Sequence, residues 1–519
     1  MKSASCALLA AGLGLLSCAE APSFDLGAAS SLTRVFFDRP AQFETVDTVR
    51  LSAAGGEYES FQLVIFGHPD TLRAVQCSTA GLSSGSAFLP PEEVAFNPVG
   101  YVLTTVASRQ YGSALGWWPD PLLEMDTFEV APGEVQPVWV TIHVPAGAPA
   151  GDYRGTVSVS AERGGSRELA VRLRVRGFDL PLRPSIKTLT WVSDLAQFYG
   201  FPKGGAEAAG LRRGMYDLLL RHRLGPGGNL ELTDQEISYC MERGMNAFLL
   251  DVIPNLKRQG ETDFSKEYKE RLVEKLKSCV EKFGPRGWLD GVAYVYNYDE
   301  VDEEHWPLAR QMYSLVKGVS PELKVIQCLN IPEGVKALAG YADTWDVYVA
   351  QYEKTGVRER VAAGDEAWLA VCCYPVDHPN FFLEYPPLDG RLIGWICWQT
   401  GVTGFEYWSP NHWGDNRSGP GLRGNWIANT FRNYNGDGYL TYPGPDGKIL
   451  SSVRLENLRD GFEDYEYLKL LASLKGDLTP AGRVAASTTE FTADPDTLYR
   501  ARDQIAEEIE KLIGREEAR

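Results

Sequence analysis

The sequence lacks the features that mark several large classes of protein. No run of Lys or Arg exceeds a pair, and 51 Lys plus Arg face 69 Asp plus Glu, a formal charge of −18. A protein that neutralises phosphates needs clustered cations, so nucleic acid is not a partner. Nine Cys are present, yet none stands in a CxxC or in a Cys/His metal spacing, which argues against both a zinc site and a disulfide framework. Cys372 and Cys373 are adjacent, where a bridge would be strained, and read as buried thiols in a strand. Past the first segment no stretch is apolar enough to span a bilayer. What remains, at 44% apolar and 23% charged, is an ordinary globular composition, and 519 residues favour two or three domains. Aromatic residues are in surplus: ten of the 13 Trp lie after residue 185.

Residues 1–18, MKSASCALLAAGLGLLSC, carry one Lys, a short run of small and apolar residues, and Leu15-Leu16-Ser17-Cys18. The apolar core is too short for a membrane helix and reads as an export signal. Leu-x-Ser-Cys is also the form of a bacterial lipoprotein signal, with Cys18 as the lipidated first residue after removal of 1–17. The expected location is the bacterial cell envelope, lipid-anchored, or alternatively outside the cell after plain cleavage. The membrane is then touched only through the N-terminal lipid.

Two patterns follow in series. Residues 31–180 hold short alternating runs, such as Glu59 to Ile65 and Val138 to Val144, between Gly, Pro and Asp turns. This predicts an all-β, immunoglobulin-like sandwich. From 185 to 475 short apolar strands alternate with amphipathic helices such as 266–283. The strands are expected at 187–193, near 222–225, and at 245–251, 291–298, 323–329, 345–351, 367–373 and 403–408. Eight strand–helix units predict a (β/α)8 barrel of the TIM type; a doubly wound sheet would usually show a Gly-rich phosphate turn after its first strand. Residues 476–519 read as a linker and a C-terminal helix docked through Ile505, Ile509 and Ile513.

In such a barrel the chemistry sits where strands end. Those positions carry Asp194, Asp251, Asp299-Glu300, Asn330, Gln351-Tyr352, Tyr374, Tyr407-Trp408, Asn411, His412 and Trp413. Aromatic faces suit the apolar faces of sugars, amides and acids suit hydroxyls, and an acidic pair suits glycoside cleavage. Candidate substrate-binding residues are Asp251, Asn330, Gln351, Tyr374, Tyr407, Trp408 and His412, and the catalytic pair is Asp299 and Glu300. Neighbours inside a strand point to opposite faces, so both acids reach one substrate only if the backbone turns there. Alternation likewise lets only one of Tyr407 and Trp408 face the lumen. Trp191, Trp398 and the acids Asp365 and Glu366 read as packing and solvated loop, and Arg454, Glu456, Arg459 and Asp460 as a structural ion-pair network. Asn433-x-Asn435-x-Asp437-Gly438 opens like an EF-hand loop, but Gly444 stands where the bidentate Glu would be, so it reads as a turn.

The segments Tyr294 to Glu300, Arg391 to Trp408, Gly436 to Gly444 and Ser452 to Tyr467 resemble glycoside hydrolase family 123 and relatives grouped as domain of unknown function 4091. Val138-Trp139-Val140 and Gly151 to Gly155 are similar to the N-terminal domain of that family. The resemblance spans about 31–475. It implies a glycan substrate, no metal and no cofactor. It also implies a retaining, substrate-assisted β-N-acetylgalactosaminidase, with Asp299 orienting the 2-acetamido group and Glu300 acting as acid, then base. Where the family often has Pro after the pair, this chain has Val301. Two other readings share the same scaffold: hydrolysis of a different glycan, and a carbohydrate-binding surface lipoprotein without activity.

Overall fold

The computed structural model describes residues 24–517 apart from 68–69, 110–113, 163, 231–232, 251–264, 297, 374–376 and 417–420. Cys18, and with it the export signal, lies outside the described residues. No described helix is long and apolar enough to cross a membrane.

The N-terminal region is β-rich, as its alternation predicts, and consists of two six-stranded sheets. Alternate residues Val138, Val140, Ile142 and Val144 of strand Val135–Val144 enter the core between the sheets, while Trp139 points the other way, onto Val99, Leu122 and Val453. The region starts earlier than residue 31, because Phe24–Ser30 forms a strand antiparallel to Glu57–Gly67. It also borrows from far along the chain: Arg423–Ile427 joins its first sheet beside Val94–Thr104.

The C-terminal region is a mixed α/β unit built on one parallel sheet of seven strands, in the order Lys187–Thr190, Gly404–Tyr407, Glu366–Val371, Thr344–Tyr348, Lys324–Leu329, Ala293–Val295 and Phe248–Leu250. The eighth strand expected near 222–225 does not form. Here the chain reads Leu224-Gly-Pro-Gly-Gly228: Leu224 packs into the core, but three of the next four residues are glycines without side chains and the fourth, Pro226, lacks an N–H. The segment nevertheless links the two sheet edges. Thr190 N–H donates to Gly225 O at 2.8 Å, Gly228 N–H to Thr190 O at 3.0 Å, and Leu249 N–H to Gly227 O at 2.8 Å. The sheet is therefore nearly closed.

Its interior is layered. At the N-terminal end of the strands, Lys187 Nζ meets Tyr294 Oη at 2.5 Å and Glu366 Oε1 at 2.6 Å, a polar plug. Glu366 is thus half-buried and not solvated, and Asp365 pairs with Arg360 at 2.7 Å. Above the plug lie Leu189, Ala247, Leu249, Ile326 and Trp368. Gly404 is needed here, since a Cβ would meet the Trp368 indole at 2.4 Å.

The outer faces of the strands pack on helices. Lys266–Phe283 matches its predicted range: the Ser265 hydroxyl caps it by accepting from Tyr268 N–H at 3.1 Å, and Leu272 and Leu276 are buried. Val453–Ser473 runs between the two regions and is buried almost throughout. The stretch before the last helix is not a bare linker, because Thr479–Val484 is helical and buries Ala481 and Val484. The final helix, Pro495–Glu517, buries Ile505 and Ile509.

Candidate active site

Above the apolar layer the strand ends open into a cavity of about 800 Å³. The acidic dipeptide lies in its wall. Strand Ala293–Val295 stops short, and at Glu300 the backbone takes φ +48°, a left-handed conformation uncommon outside Gly. That turn lets both Asp299 and Glu300 line the one cavity. Each is held by a phenol: Tyr296 Oη donates to Asp299 Oδ1, and Tyr348 Oη to Glu300 Oε1, both at 2.9 Å. Val301, next along the chain, is fully buried in the core.

Two further acids converge on them. Asp346 and Glu406 sit inside their strands with only 1% and 5% of their surfaces exposed, and both line the cavity. Burial, then the nearby Asp299, pushes Asp346 up to about 7. Burial, then Asp346 and Asp299, raises Glu406 as well. Three buried acceptors in this wall, Asn330 Oδ1, Asp346 Oδ1 and Glu406 Oε1, have no hydrogen-bond partner among the described residues. Leaving such groups unmet is costly, and polar sites that bind ligands are where the condition persists. Aromatic surface faces the acids. Trp191 packs edge-on against Tyr296 with ring centroids 5.5 Å apart, so it belongs to the cavity wall and not to the packing alone. Trp408 also lines the cavity, with the Phe431 ring at 4.7 Å. Its indole donates to Asp437 Oδ1 at 3.1 Å. Gly438, at φ +80°, makes room, since a Cβ there would fall 2.1 Å from that ring.

Several predicted positions lie elsewhere. Tyr407 faces outward into the core, where its hydroxyl accepts from Gly438 N–H at 2.9 Å; alternation leaves the lumen to Trp408. Gln351 is not in the cavity, because strand Thr344–Tyr348 ends before it and Val349–Lys354 is a 3-10 turn. His412 stands one layer back, against the rings of Trp408 and Phe431 at 5.2 and 6.0 Å. Asp194 caps the short helix Leu195–Tyr199. Asp251 and Tyr374 lie outside the described residues. Cys372 and Cys373 are not in a strand, since Glu366–Val371 ends just before them; both thiols are free and line the cavity.

Asp346, Glu406, Tyr296 and Tyr348 escaped the sequence reading. A signal was available: an acid flanked by Trp345 and Val347, or by Phe405 and Tyr407, in an otherwise apolar run marks a buried polar group.

The family models decide the relationship. That of the glycoside hydrolase 123 N-terminal domain matches residues 34–161, and that of the glycoside hydrolase 123 catalytic domain matches 254–471. The chain belongs to glycoside hydrolase family 123. It is accordingly a glycoside hydrolase. Among solved structures, a family 123 glycoside hydrolase from Clostridium perfringens, studied for glycolipid glycan hydrolysis, superposes with a TM-score of 0.71 at 14% identity, covering 95% of this chain and 98% of that one. At that identity the two share a fold. A xyloglucanase of family 5 from Bacteroides ovatus reaches a TM-score of 0.33 at 9% identity over 80% of this chain and 98% of that one. The β-D-glucuronidase of Dictyoglomus thermophilum reaches 0.34 at 10% over 86% and 98%. No curated protein matches the chain at a significant level. The family 123 catalytic match contains Asp299, Glu300, Asn330, Asp346, Glu406 and Trp408, whereas Trp191 precedes it.

Proposed function

We propose that this family 123 enzyme removes terminal β-linked N-acetylhexosamine, by preference N-acetylgalactosamine, through a retaining mechanism in which the substrate supplies its own nucleophile. The observation that carries the reading is the turn at Glu300, which brings two consecutive carboxylates to one aromatic-walled cavity beside three unmet buried acceptors. Consecutive acids suit this chemistry better than a pair of enzyme carboxylates set apart on facing strands. Asp299, positioned by Tyr296, accepts the acetamido N–H and so raises the nucleophilicity of the acetamido oxygen. That oxygen attacks the anomeric carbon as Glu300 protonates the departing glycosidic oxygen. The cyclised sugar is then opened by water, from which Glu300 takes the proton back. Asn330, Asp346 and Glu406 take the sugar hydroxyls, and Trp191 and Trp408 its apolar faces.

The finer architecture belongs to the same reading. Segment 225–228 stands in as an irregular eighth stave of a (β/α)8 barrel, and the two β-sheets form an immunoglobulin-like sandwich. Lipidated at Cys18 and exported, the enzyme would meet glycoconjugates at the cell envelope. The Clostridium perfringens relative makes glycolipid glycans the first class to test.

A glycan panel with product analysis tests the proposal. Release of N-acetylgalactosamine, inhibition by a thiazoline analogue of the cyclised intermediate, and a strong fall in kcat for Asp299→Asn are expected. Turnover of sugars lacking the 2-acetamido group, with indifference to the thiazoline, would sink the mechanism; retention of glycan without turnover would leave a binding protein.

A further inference from the structure

One cluster in the cavity wall has no part in the hydrolysis described above. Just past the end of strand Glu366–Val371, Cys372 and Cys373 present both sulfurs toward Asp437, which arrives from the 436–438 turn. The two Sγ atoms and one carboxylate oxygen all lie within 4.8 Å of one another. Cys372 Sγ is 3.8 Å from Asp437 Oδ2, and Arg432 Nη1 is 4.0 Å from Cys373 Sγ. Asp437 is fully buried, while Cys372 is half-buried and both cysteines line the cavity. No cysteine of the described chain is bridged.

We infer that Cys372, Cys373 and Asp437 form a thiolate site for one soft divalent cation, Zn²⁺ being the biological member of that class, and that its occupancy inhibits the enzyme. Two sulfurs and one carboxylate oxygen are a donor set Zn²⁺ accepts, and three protein ligands leave a fourth position for water from the cavity. Tetrahedral bonds of about 2.3 Å to sulfur and about 2.0–2.2 Å to oxygen set the donors roughly 3.5–3.8 Å apart. From separations of at most 4.8 Å, the cluster needs to contract by up to about 1.3 Å to meet that geometry. The Trp408 indole, on the other oxygen of Asp437, supplies the outer bond that aims a ligating carboxylate.

Both thiols must lose their protons on metal binding. Cys372, donating to its neighbour, is pushed up, and the same contact pulls Cys373 down, with Arg432 assisting. Asp437 accepts from the Trp408 indole through Oδ1 and leaves Oδ2 toward Cys372 Sγ. Binding exchanges Zn²⁺ for the two thiol protons, forms two Zn–S bonds and one Zn–O bond, and changes no oxidation state. Arg432, whose side chain is exposed, can offset the remaining negative charge. A bound ion would then share the wall with Tyr348 and Glu300, whose hydrogen bond holds the proposed acid.

The inhibitory half rests on the catalytic reading of the cavity; uptake does not. The test uses the reduced, metal-free full chain titrated with Zn²⁺ and with Co²⁺ alone. One equivalent is expected, with a thiolate-to-cobalt charge-transfer band that Cys372→Ser and Cys373→Ser each abolish. Outer partners of metal ligands are worth about 10–100-fold in affinity, so Trp408→Phe should weaken uptake by that factor and Asp437→Asn by at least as much. Melting curves establish that each variant is folded. Failure of the wild type to take up Zn²⁺, uptake that survives both serine variants, or isolation of the chain with a Cys372–Cys373 disulfide would overturn the site. Zn²⁺ should inhibit turnover of the wild type reversibly by EDTA; uptake without inhibition would overturn the inhibitory role and leave the catalytic reading untouched.

Discussion

Two groups of buried acids lie in one chain and differ in what faces them. Along Val453–Ser473 they meet guanidinium groups. Arg391 Nε binds Asp464 at 2.7 Å, Arg502 Nε binds the other oxygen of Asp464 at 2.8 Å, Arg454 binds Asp120 at 2.8 Å, and Arg459 binds Asp460 at 2.7 Å and also contacts Glu456. Burial alone would raise Glu456, yet Arg459 and His222 hold it below the usual carboxylate range. Burial raises Glu59 to about 7 and Glu463 to about 8 even with arginines opposing it. In the cavity, Asp346 and Glu406 form no ion pair among the described residues and face each other and Asp299. Burial by itself therefore does not mark a functional acid. An acid buried without a cation and open to a cavity does, because its unmet acceptors require a partner that the described residues do not supply.

The comparison breaks most visibly at Glu300. Glu300→Gln should lower turnover of substrates with poor leaving groups by about 10²–10⁴-fold, and of activated aryl glycosides far less, while the melting temperature stays put. Equal loss on both substrates would deny Glu300 the role of acid. The opposite signature is expected in the network. Arg391→Leu leaves Asp464 with Arg502 alone and the buried network with one negative charge uncompensated, and should cost about 3–5 kcal/mol of stability, with kcat per folded molecule unchanged. Lost activity in a fully folded Arg391→Leu protein would erase the distinction.

The smallest effect is a slope. With Asp346 at about 7 in the folded state against 3.8 ordinarily, the folded chain binds the proton more tightly. This contribution to stability is full below about pH 3.8 and is lost as pH rises through about 7. Melting curves of Asp346→Asn against pH should lack that fall relative to the wild type, and parallel curves would place Asp346 outside the titration.

The dipeptide Asp299-Glu300 was legible because its requirement, a turn at a strand end, can be stated without coordinates. The division into a β-rich half and a strand–helix half followed from the change of hydrophobic period at about residue 185. Asp346 was missed through register: Val349, Ala350 and Tyr352 are apolar enough to prolong the strand on paper, though the chain turns after Tyr348. The missing eighth strand has a different cause, since Gly-Pro-Gly-Gly can close a sheet through its backbone while offering no side-chain pattern to detect. The cysteine cluster could not be read from spacing at all, because Asp437 lies far along the chain and reaches the thiols only in three dimensions.

The place of Arg423–Ile427 in the first N-terminal sheet sets a schedule for the newborn chain. Its neighbour Val94–Thr104 is made early and must wait for more than three hundred further residues before that partner exists. At roughly 5–20 residues per second the delay is on the order of tens of seconds. Throughout it the sheet presents an unfinished edge, open to other chains. A factor that shields this edge during synthesis should therefore raise the yield of active enzyme more than one that acts on the finished protein.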